Sequence, residues 1–495
     1  MRKSVPKAVA VALIVYAVLL IPDPEPKVSL DDLQGGSKKA FAWNQDAFWT
    51  QLEKRYVEAK AAGCEGVRHA ADSLLALAGT NLAYVNQGSL ESGNAAFRQH
   101  ENLIFGIGSM VGSCPGRFAE FKQLVEDSRK AIKRQSEHWD MNEREARETL
   151  YRLLYGGRGA VEEIMLQLPV DSTKDPVTLG TDEPSQTPSA SILGATIHSG
   201  DILVSRGGAP TSALIARGND FPGNFSHIAL VYVDPNTKRV SIIESHIERG
   251  VTISTPEEYI KDTKLRVMVL RLRSDLPQIQ ADPMLPHRAA ELALKNARER
   301  HIPYDFSMDF QDADKWFCSE VASFAYRNFG VQLWMGLSHL SSPGLRRWLA
   351  DFGVEHFETQ EPSDLEYDPQ LRVVTEWRDP EQLRKDHFDN AVTEAMLEGA
   401  EQGDRPTYAW YMLPVARTMK AYSVLLNLVG SPGPVPEGMS ATAALKNKYY
   451  SNKHEAIKRE LVRLAEEFTR KKGYAAPYWG LLQMARVAKQ TIENR

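Results

Sequence analysis

Between residues 40 and 168 apolar positions recur every three to four residues and never alternate. The stretches 47–62, 67–77, 118–138 and 142–168 carry this spacing, which predicts an all-helical region. From 169 to 191 the periodicity disappears. Turn formers crowd together there, as in Asp182-Glu183-Pro184-Ser185, so the stretch reads as a linker. Beyond Gly200 strand-like segments take over. Residues 201–204, 226–233, 239–244, 250–254 and 265–272 predict strands, and Pro235-Asn236-Thr237-Lys238 predicts a hairpin turn. Helical spacing returns at 286–300 and 318–329. Strands first and helices after them predict an α+β domain with a small antiparallel sheet, spanning 192–378. The C-terminal region, 379–495, is helical again, at 390–401, 409–428, 440–472 and 479–492. All-helical regions therefore flank the domain on both sides.

The first 27 residues follow a different logic. Met1-Arg2-Lys3 and Lys7 are basic, an uncharged apolar run follows from Ala8 to Ile21, and Pro22-Asp23-Pro24-Glu25-Pro26 stops it. This order predicts a secretory signal or a retained membrane anchor. The run is short for a span, which takes about 20 residues. A clean small-residue cleavage site is also missing, so both alternatives stay open. Either one predicts membrane contact through the N-terminal segment. It also places the body in an exported compartment, the periplasm or the outer side of the inner membrane in a bacterium.

Composition narrows the classes. A chain of 495 residues suggests about three domains. With 43% hydrophobic and 25% charged residues it is globular, not disordered. A net charge of −5 argues against a nucleic-acid partner, which needs a concentrated basic face. A mean hydropathy of −0.36 excludes a polytopic membrane protein. The 3 Cys exclude a disulfide scaffold. Cys64 follows Gly63 and Cys114 precedes Pro115, so both sit at helix junctions, where a bridge would staple two helices. Two buried thiols are the alternative. Cys318 stands alone, far downstream.

Cys318 lies where a helix starts, and the positive end of a helix dipole favours a thiolate, the form a cysteine nucleophile needs. Most cysteines on an apolar helix are inert. His227 begins a strand and shares a face with Phe225, Ala229 and Val231, so its imidazole needs a partner. A core histidine bonded to a carbonyl answers that, and so does a general base for Cys318. The hairpin brings Glu244 close to His227 across the ladder, where a carboxylate can accept the second ring N–H. His246, two residues on, competes for that role. No metal-ligand spacing and no phosphate loop stand out.

The order and context of these residues carry a resemblance. Gly200-Asp201-Ile202-Leu203, Phe225-Ser226-His227-Ile228-Ala229-Leu230-Val231, Ile243-Glu244-Ser245, Pro303-Tyr304-Asp305 and Phe317-Cys318-Ser319-Glu320-Val321 resemble the circularly permuted papain-like cysteine hydrolases of the NlpC superfamily, YiiX/YebB-like branch. The similarity covers about residues 195–345. It implies a permuted papain-like fold, with Cys318 as nucleophile, His227 as base and Glu244 orienting the base. Tyr304 would line the site, and Asp201 and Glu320 would hold structural roles. No cofactor and no metal are implied. Peptidoglycan-cutting members carry a second His as third residue. Glu244 departs from that pattern and puts a peptidoglycan substrate in doubt.

The chain therefore reads as an exported cysteine hydrolase that cleaves an amide, or an ester or thioester, through an acyl-enzyme. Its substrate would be a small molecule, a cell-envelope peptide or an acyl lipid. Acyl transfer, as in lecithin–retinol acyltransferase-type relatives, is the nearest alternative chemistry. A catalytically silent envelope scaffold is the alternative from another class. The segment before the base, residues 211–224, predicts one wall of the groove, with Leu214 and Phe221 as apolar contacts. Packing on the sheet competes with that reading.

Overall fold

The computed structural model describes residues 5–24, 41, 47–169, 177–192, 194–428 and 431–494. Helix α1, Val5–Leu19, comes first, and Arg417 from the C-terminal region donates to its Val18 carbonyl at 3.2 Å. Four longer helices follow: α2 (Ala47–Val85), α3 (Ala95–Val111), α4 (Phe118–Gln135) and α5 (Arg144–Gln167). Their apolar stripes meet in one core, with Ala78, Ile107, Phe121, Ile132 and Leu150 fully buried. Gly63 leaves helical geometry inside α2, at φ 66°. The next residue, Cys64, is bonded to Cys114, with the Cα atoms 4.5 Å apart, so the bridge ties the kink in α2 to the turn after α3.

The middle of the chain supplies eleven strands among the described residues. These are β1 (Val177–Leu179), β2 (Ser189–Ile192), β3 (Ala195–His198), β4 (Ile202–Gly207), β5 (His227–Val233), β6 (Val240–His246), β7 (Gly250–Ser254), β8 (Lys264–Leu272), β9 (Ser338–His339), β10 (Glu358–Thr359) and β11 (Leu371–Arg378). Seven form one sheet in the order β1-β11-β8-β4-β5-β6-β7, every pair antiparallel. Between the strands run α6 (Pro210–Arg217), α7 (Pro256–Lys261), α8 (Pro277–Ala281), α9 (Leu285–Glu299), α10 (Cys318–Arg327), α11 (Pro343–Phe352) and α12 (Asp364–Tyr367). The C-terminal region adds α13 (Pro380–Glu401), α14 (Leu413–Asn427), α15 (Ala441–Lys472) and α16 (Tyr478–Glu493).

The central strands are buried on both faces, which explains their near-continuous apolar sequence. Ile228 and Leu230 face Ala289, Ala293, Val321 and Ala325 of α9 and α10. Ala229 and Val231 face the opposite core, with Leu203, Val269 and Tyr259. Phe225 precedes β5 and packs with the first of these cores, so it does not share the face of Ala229 and Val231 as the alternation predicts.

Two sequence readings shift. The stretch read as a linker contributes β1 to the sheet edge, pairing Thr178 with Glu376; its residues 170–176 lie outside the described residues. Strand β11 was not anticipated, although Leu371-Arg372-Val373-Val374-Thr375-Glu376-Trp377-Arg378 is β-branched and bounded by Pro369 and Pro380. It pairs with β8 and brings the sheet back to the N-terminal helices. Of the N-terminal signal or anchor segment, residues 1–4 and 25–27 lie outside the described residues. No helix among the described residues is long and apolar enough to cross a membrane.

Buried ion pairs join the three regions. Arg266 on β8 donates to both oxygens of Glu162 on α5, at 2.6 and 3.0 Å, and to Asp386 on α13, at 2.6 and 2.9 Å. Arg206 on β4 lies 3.1 Å from the other oxygen of Asp386. All four side chains are buried. Burial opposes ionisation of Glu162, but Arg266 and its neighbours hold the carboxyl well below the usual range. Removing one member strands a buried charge, which costs about 3–5 kcal/mol. Glu162→Gln is expected to lower the unfolding free energy by about that much in a urea titration. Glu65→Gln, which breaks an exposed pair with Arg68, should leave the midpoint unchanged.

Candidate active site

Cys318 is the first residue of α10, and His227 is the first residue of β5. Helix α10 packs on β5 through Val321, Ala322 and Ala325, which fixes the helix start beside the strand start. Glu320 holds that start in place by accepting the Phe317 N–H at 2.9 Å. Gly250 begins β7 at φ 72°, where a Cβ would lie 2.1 Å from the Ile302 carbonyl oxygen. Only glycine allows this approach, and Val251 N–H then donates to that carbonyl at 2.9 Å. Residues 302–304 are thereby set against the sheet, and Tyr304 follows. Asp201 is structural: it accepts the His198 N–H at 2.7 Å and pairs with Arg271 at 2.7 Å.

Across the β5–β6 ladder Glu244 stands opposite Ala229, one diagonal step from His227. Its Oε2 lies 2.8 Å from His227 Nε2. Its Oε1 accepts the Ser254 hydroxyl at 2.6 Å and lies 3.2 Å from His246 Nε2. An ionised carboxylate only accepts hydrogen bonds, so the proton of His227 sits on Nε2. Nδ1 is left with its lone pair and carries no hydrogen bond among the described residues. His246 shares the carboxylate rather than replacing it, and its own Nδ1 lies 3.9 Å from Glu248.

The charge states follow from burial. Burial opposes the charge on Glu244, yet hydrogen bonds from both histidines hold its carboxyl well below the usual range. Burial pulls His227 below its ordinary value, against the bond to Glu244, so the ring is neutral at pH 7. Burial also pushes the Cys318 thiol up to about 12, against the pull of the Ile228 backbone and Ser319. The thiolate expected from the helix dipole is therefore corrected: at 5% exposure desolvation outweighs the helix terminus. Ile228, next in sequence to His227, contacts the sulfur through its backbone, which sets the thiol at the start of β5. No hydrogen bond joins the two side chains among the described residues.

Cys318 opens into a mostly apolar cavity. Leu214 and Ile215 of α6, Tyr304, Phe306 and Met308 of the loop before α10, and Leu349 and Phe352 of α11 form its walls. His227 is not among the lining residues. Met439 and Asn447, from the C-terminal region, complete the lining. Gly438 permits that closure, because a Cβ there would meet the Phe306 ring at 2.5 Å.

Leu214 and Tyr304, expected to line the groove, both line this cavity. Phe221 does not. It stacks on Phe41 with ring centroids 5.8 Å apart and meets Tyr151 at 5.5 Å, inside the N-terminal helical core. The turn before the base folds back onto the helices, which removes this residue from the groove. Gln360 and Glu361 also line the cavity, and both are buried. No local pattern marks them, since they come from an irregular stretch. The sequence offered no metal-ligand spacing, but the fold gathers His227, Glu244 and His246 with their ligand atoms within 4.8 Å of one another. Neutral imidazole and carboxylate are ligands a divalent cation accepts.

Residues 196–375 match the family model described as permuted papain-like amidase enzyme, YaeF/YiiX, C92 family. This agrees with the resemblance carried by the His227, Glu244 and Cys318 blocks. The match supports a hydrolase of the amidase class. No curated protein and no solved structure matches the chain.

The charge states give a direct test. A protonated thiol alkylates slowly, and its rate climbs with pH as thiolate forms. Reaction of Cys318 with iodoacetamide is expected to rise steadily from pH 6 through pH 9. A rate that is already flat across neutral pH would reveal a preformed thiolate–imidazolium pair instead.

Proposed function

We propose that the protein is a cysteine amidase that removes a hydrophobic acyl group from an amine through a thioester on Cys318. The observation that carries this reading is a helix-terminal thiol that opens into an apolar cavity and is contacted by the backbone of Ile228, the residue after a His227 bonded to Glu244. His227 Nδ1 takes the thiol proton as sulfur attacks the amide carbon. Charge develops on the carbonyl oxygen, and N–H groups at the start of α10 stabilise it. The imidazolium gives its proton to the leaving amine as the C–N bond breaks, and Glu244 stabilises the positive ring meanwhile. Water then attacks the thioester, His227 takes its proton, and the carboxylic acid leaves as the thiol is restored. Because thiol and imidazole both start neutral, His227 acts as a general base rather than as half of an ion pair.

The cavity sets the substrate class. Its apolar walls favour an acyl chain or a hydrophobic peptide over a charged glycan. The Cys64–Cys114 bridge supports work in an oxidising, exported compartment, as the N-terminal sequence suggests.

Cys318→Ser is expected to abolish hydrolysis without unfolding the protein. His227→Ala should cost about 10²–10⁴ in kcat/KM. Glu244→Gln should cost less, because the amide can still hold the ring but lacks the charge. The acid limb of kcat/KM should fall below pH 6.5, since burial lowers the pKa of His227 and only its neutral form is a base. An acid limb above 6.5 would contradict that environment. Ile215→Trp narrows the cavity and should depress cleavage of a long-chain acyl p-nitroanilide while sparing a short-chain one. Equal losses on both would argue against acyl binding there.

A further inference from the structure

The proposed reaction gives no role to His246, although this side chain completes a cluster. His246 Nε2 lies 3.2 Å from Glu244 Oε1, while His227 Nε2 lies 2.8 Å from Oε2. The ligand atoms of the three residues lie within 4.8 Å of one another, and no other group of this kind converges among the described residues. Two imidazoles and one carboxylate, with water as fourth ligand, are a set that zinc takes readily. Zinc bonds of about 2.0–2.2 Å at tetrahedral angles set ligand atoms about 3.3–3.6 Å apart, close to the spacing already present. The two rings reach the surface in part, with side chains 16% and 22% exposed, so an ion can enter without unfolding the domain. Magnesium and calcium prefer oxygen ligands and gain little from the rings.

The surroundings suit an ion as well. The ligands come from β5 and β6, whose pairing of Ala229 with Glu244 fixes their spacing. Ser254 donates its hydroxyl to Glu244 Oε1 at 2.6 Å and holds the carboxylate. Glu248 lies 3.9 Å from His246 Nδ1, on the side where a carboxylate supports the N–H of a metal-bound imidazole. Such an ion would act on the base without touching the sulfur. A metal needs the lone pair of His227 Nε2, and in the metal-free ring Nε2 carries the proton that Glu244 accepts. On binding, that proton passes through solvent to Nδ1. The ring stays neutral, and no proton is gained or lost overall. Nδ1 then has no lone pair with which to take the thiol proton.

We propose that His227, Glu244 and His246 form a site for a divalent transition-metal ion of the zinc type, and that its occupancy switches the hydrolase off by moving the His227 proton to Nδ1. The switch rests on the proposed function; the binding does not. The test is calorimetric titration of zinc chloride into the metal-free full chain carrying Cys318→Ser, which removes the thiol as a competing ligand. One equivalent is expected to bind, and magnesium chloride should give no binding heat. In that background His246→Gln keeps an N–H donor for Glu244 but loses the ring ligand, and should weaken zinc binding by about tenfold or more. Glu244→Gln, a second ligand variant, should weaken it likewise. His301→Ala, at an exposed pair with Glu437, should leave it unchanged. In the parent, zinc should stop cleavage of a long-chain acyl p-nitroanilide, and EDTA should restore it. His246→Gln should raise the inhibiting zinc concentration by a similar factor, each chain being compared with its own metal-free rate. A Cys318→Ser chain that binds no zinc overturns the proposal. So does binding that both ligand variants retain in full. Zinc binding at the site without inhibition of an active parent overturns the switch. A parent with no amidase activity but an intact zinc site upholds the site and counts against the proposed function.

Discussion

Arg266 holds the molecule together. It sits on β8 and bonds Glu162 of the N-terminal helices with one edge of its guanidinium and Asp386 of the C-terminal helices with the other. A planar donor fork suits this task, because two carboxylates can be addressed at fixed angles. Each ion would be costly in the interior alone, and the pairing makes the arrangement all-or-none. The sheet is thus locked to both helical regions by charges that tolerate little displacement. That rigidity reaches the site, because β8 pairs with β4 and β4 pairs with β5, the strand that carries His227.

Burial also governs the chemistry. A helix N-terminus alone would favour a thiolate at Cys318, but the sulfur lies in an apolar wall where desolvation dominates. The same desolvation keeps His227 neutral, while Glu244, saturated by two imidazoles and a hydroxyl, remains charged. Thiol and imidazole are therefore both neutral, with one fixed negative charge on Glu244 against the ring. Proton transfer costs less when charge develops next to that carboxylate than when it must exist beforehand in an apolar setting.

Much of this was legible in the sequence because it is local. The β5–β6 hairpin follows from two apolar runs and a turn at Pro235-Asn236, and it alone brings Glu244 to His227. Cys64 and Cys114 announce themselves by their positions beside Gly63 and Pro115. What local pattern could not supply was long-range. Strand β11 joins the sheet about a hundred residues after its partner β8, and nothing in a window of ten residues says where it docks. Phe221 reads like an active-site wall because it precedes the base. Its ring is claimed by Phe41 and Tyr151, which are far away in the chain. The thiol was misjudged for the same reason: helix position is visible in the sequence, whereas the burial that opposes it is not.

The regions outside the family match are more than ornament. Residues 196–375 contain Cys318, His227 and Glu244, but they do not close the cavity. Met439 and Asn447 do, from a loop and a helix that Lys420 and Gly438 hold in place. A permuted papain-like core alone would leave Tyr304 and Phe306 facing water on that side. Covering them with an apolar residue turns a surface groove into a pocket and strengthens every polar interaction beside the sulfur by excluding solvent.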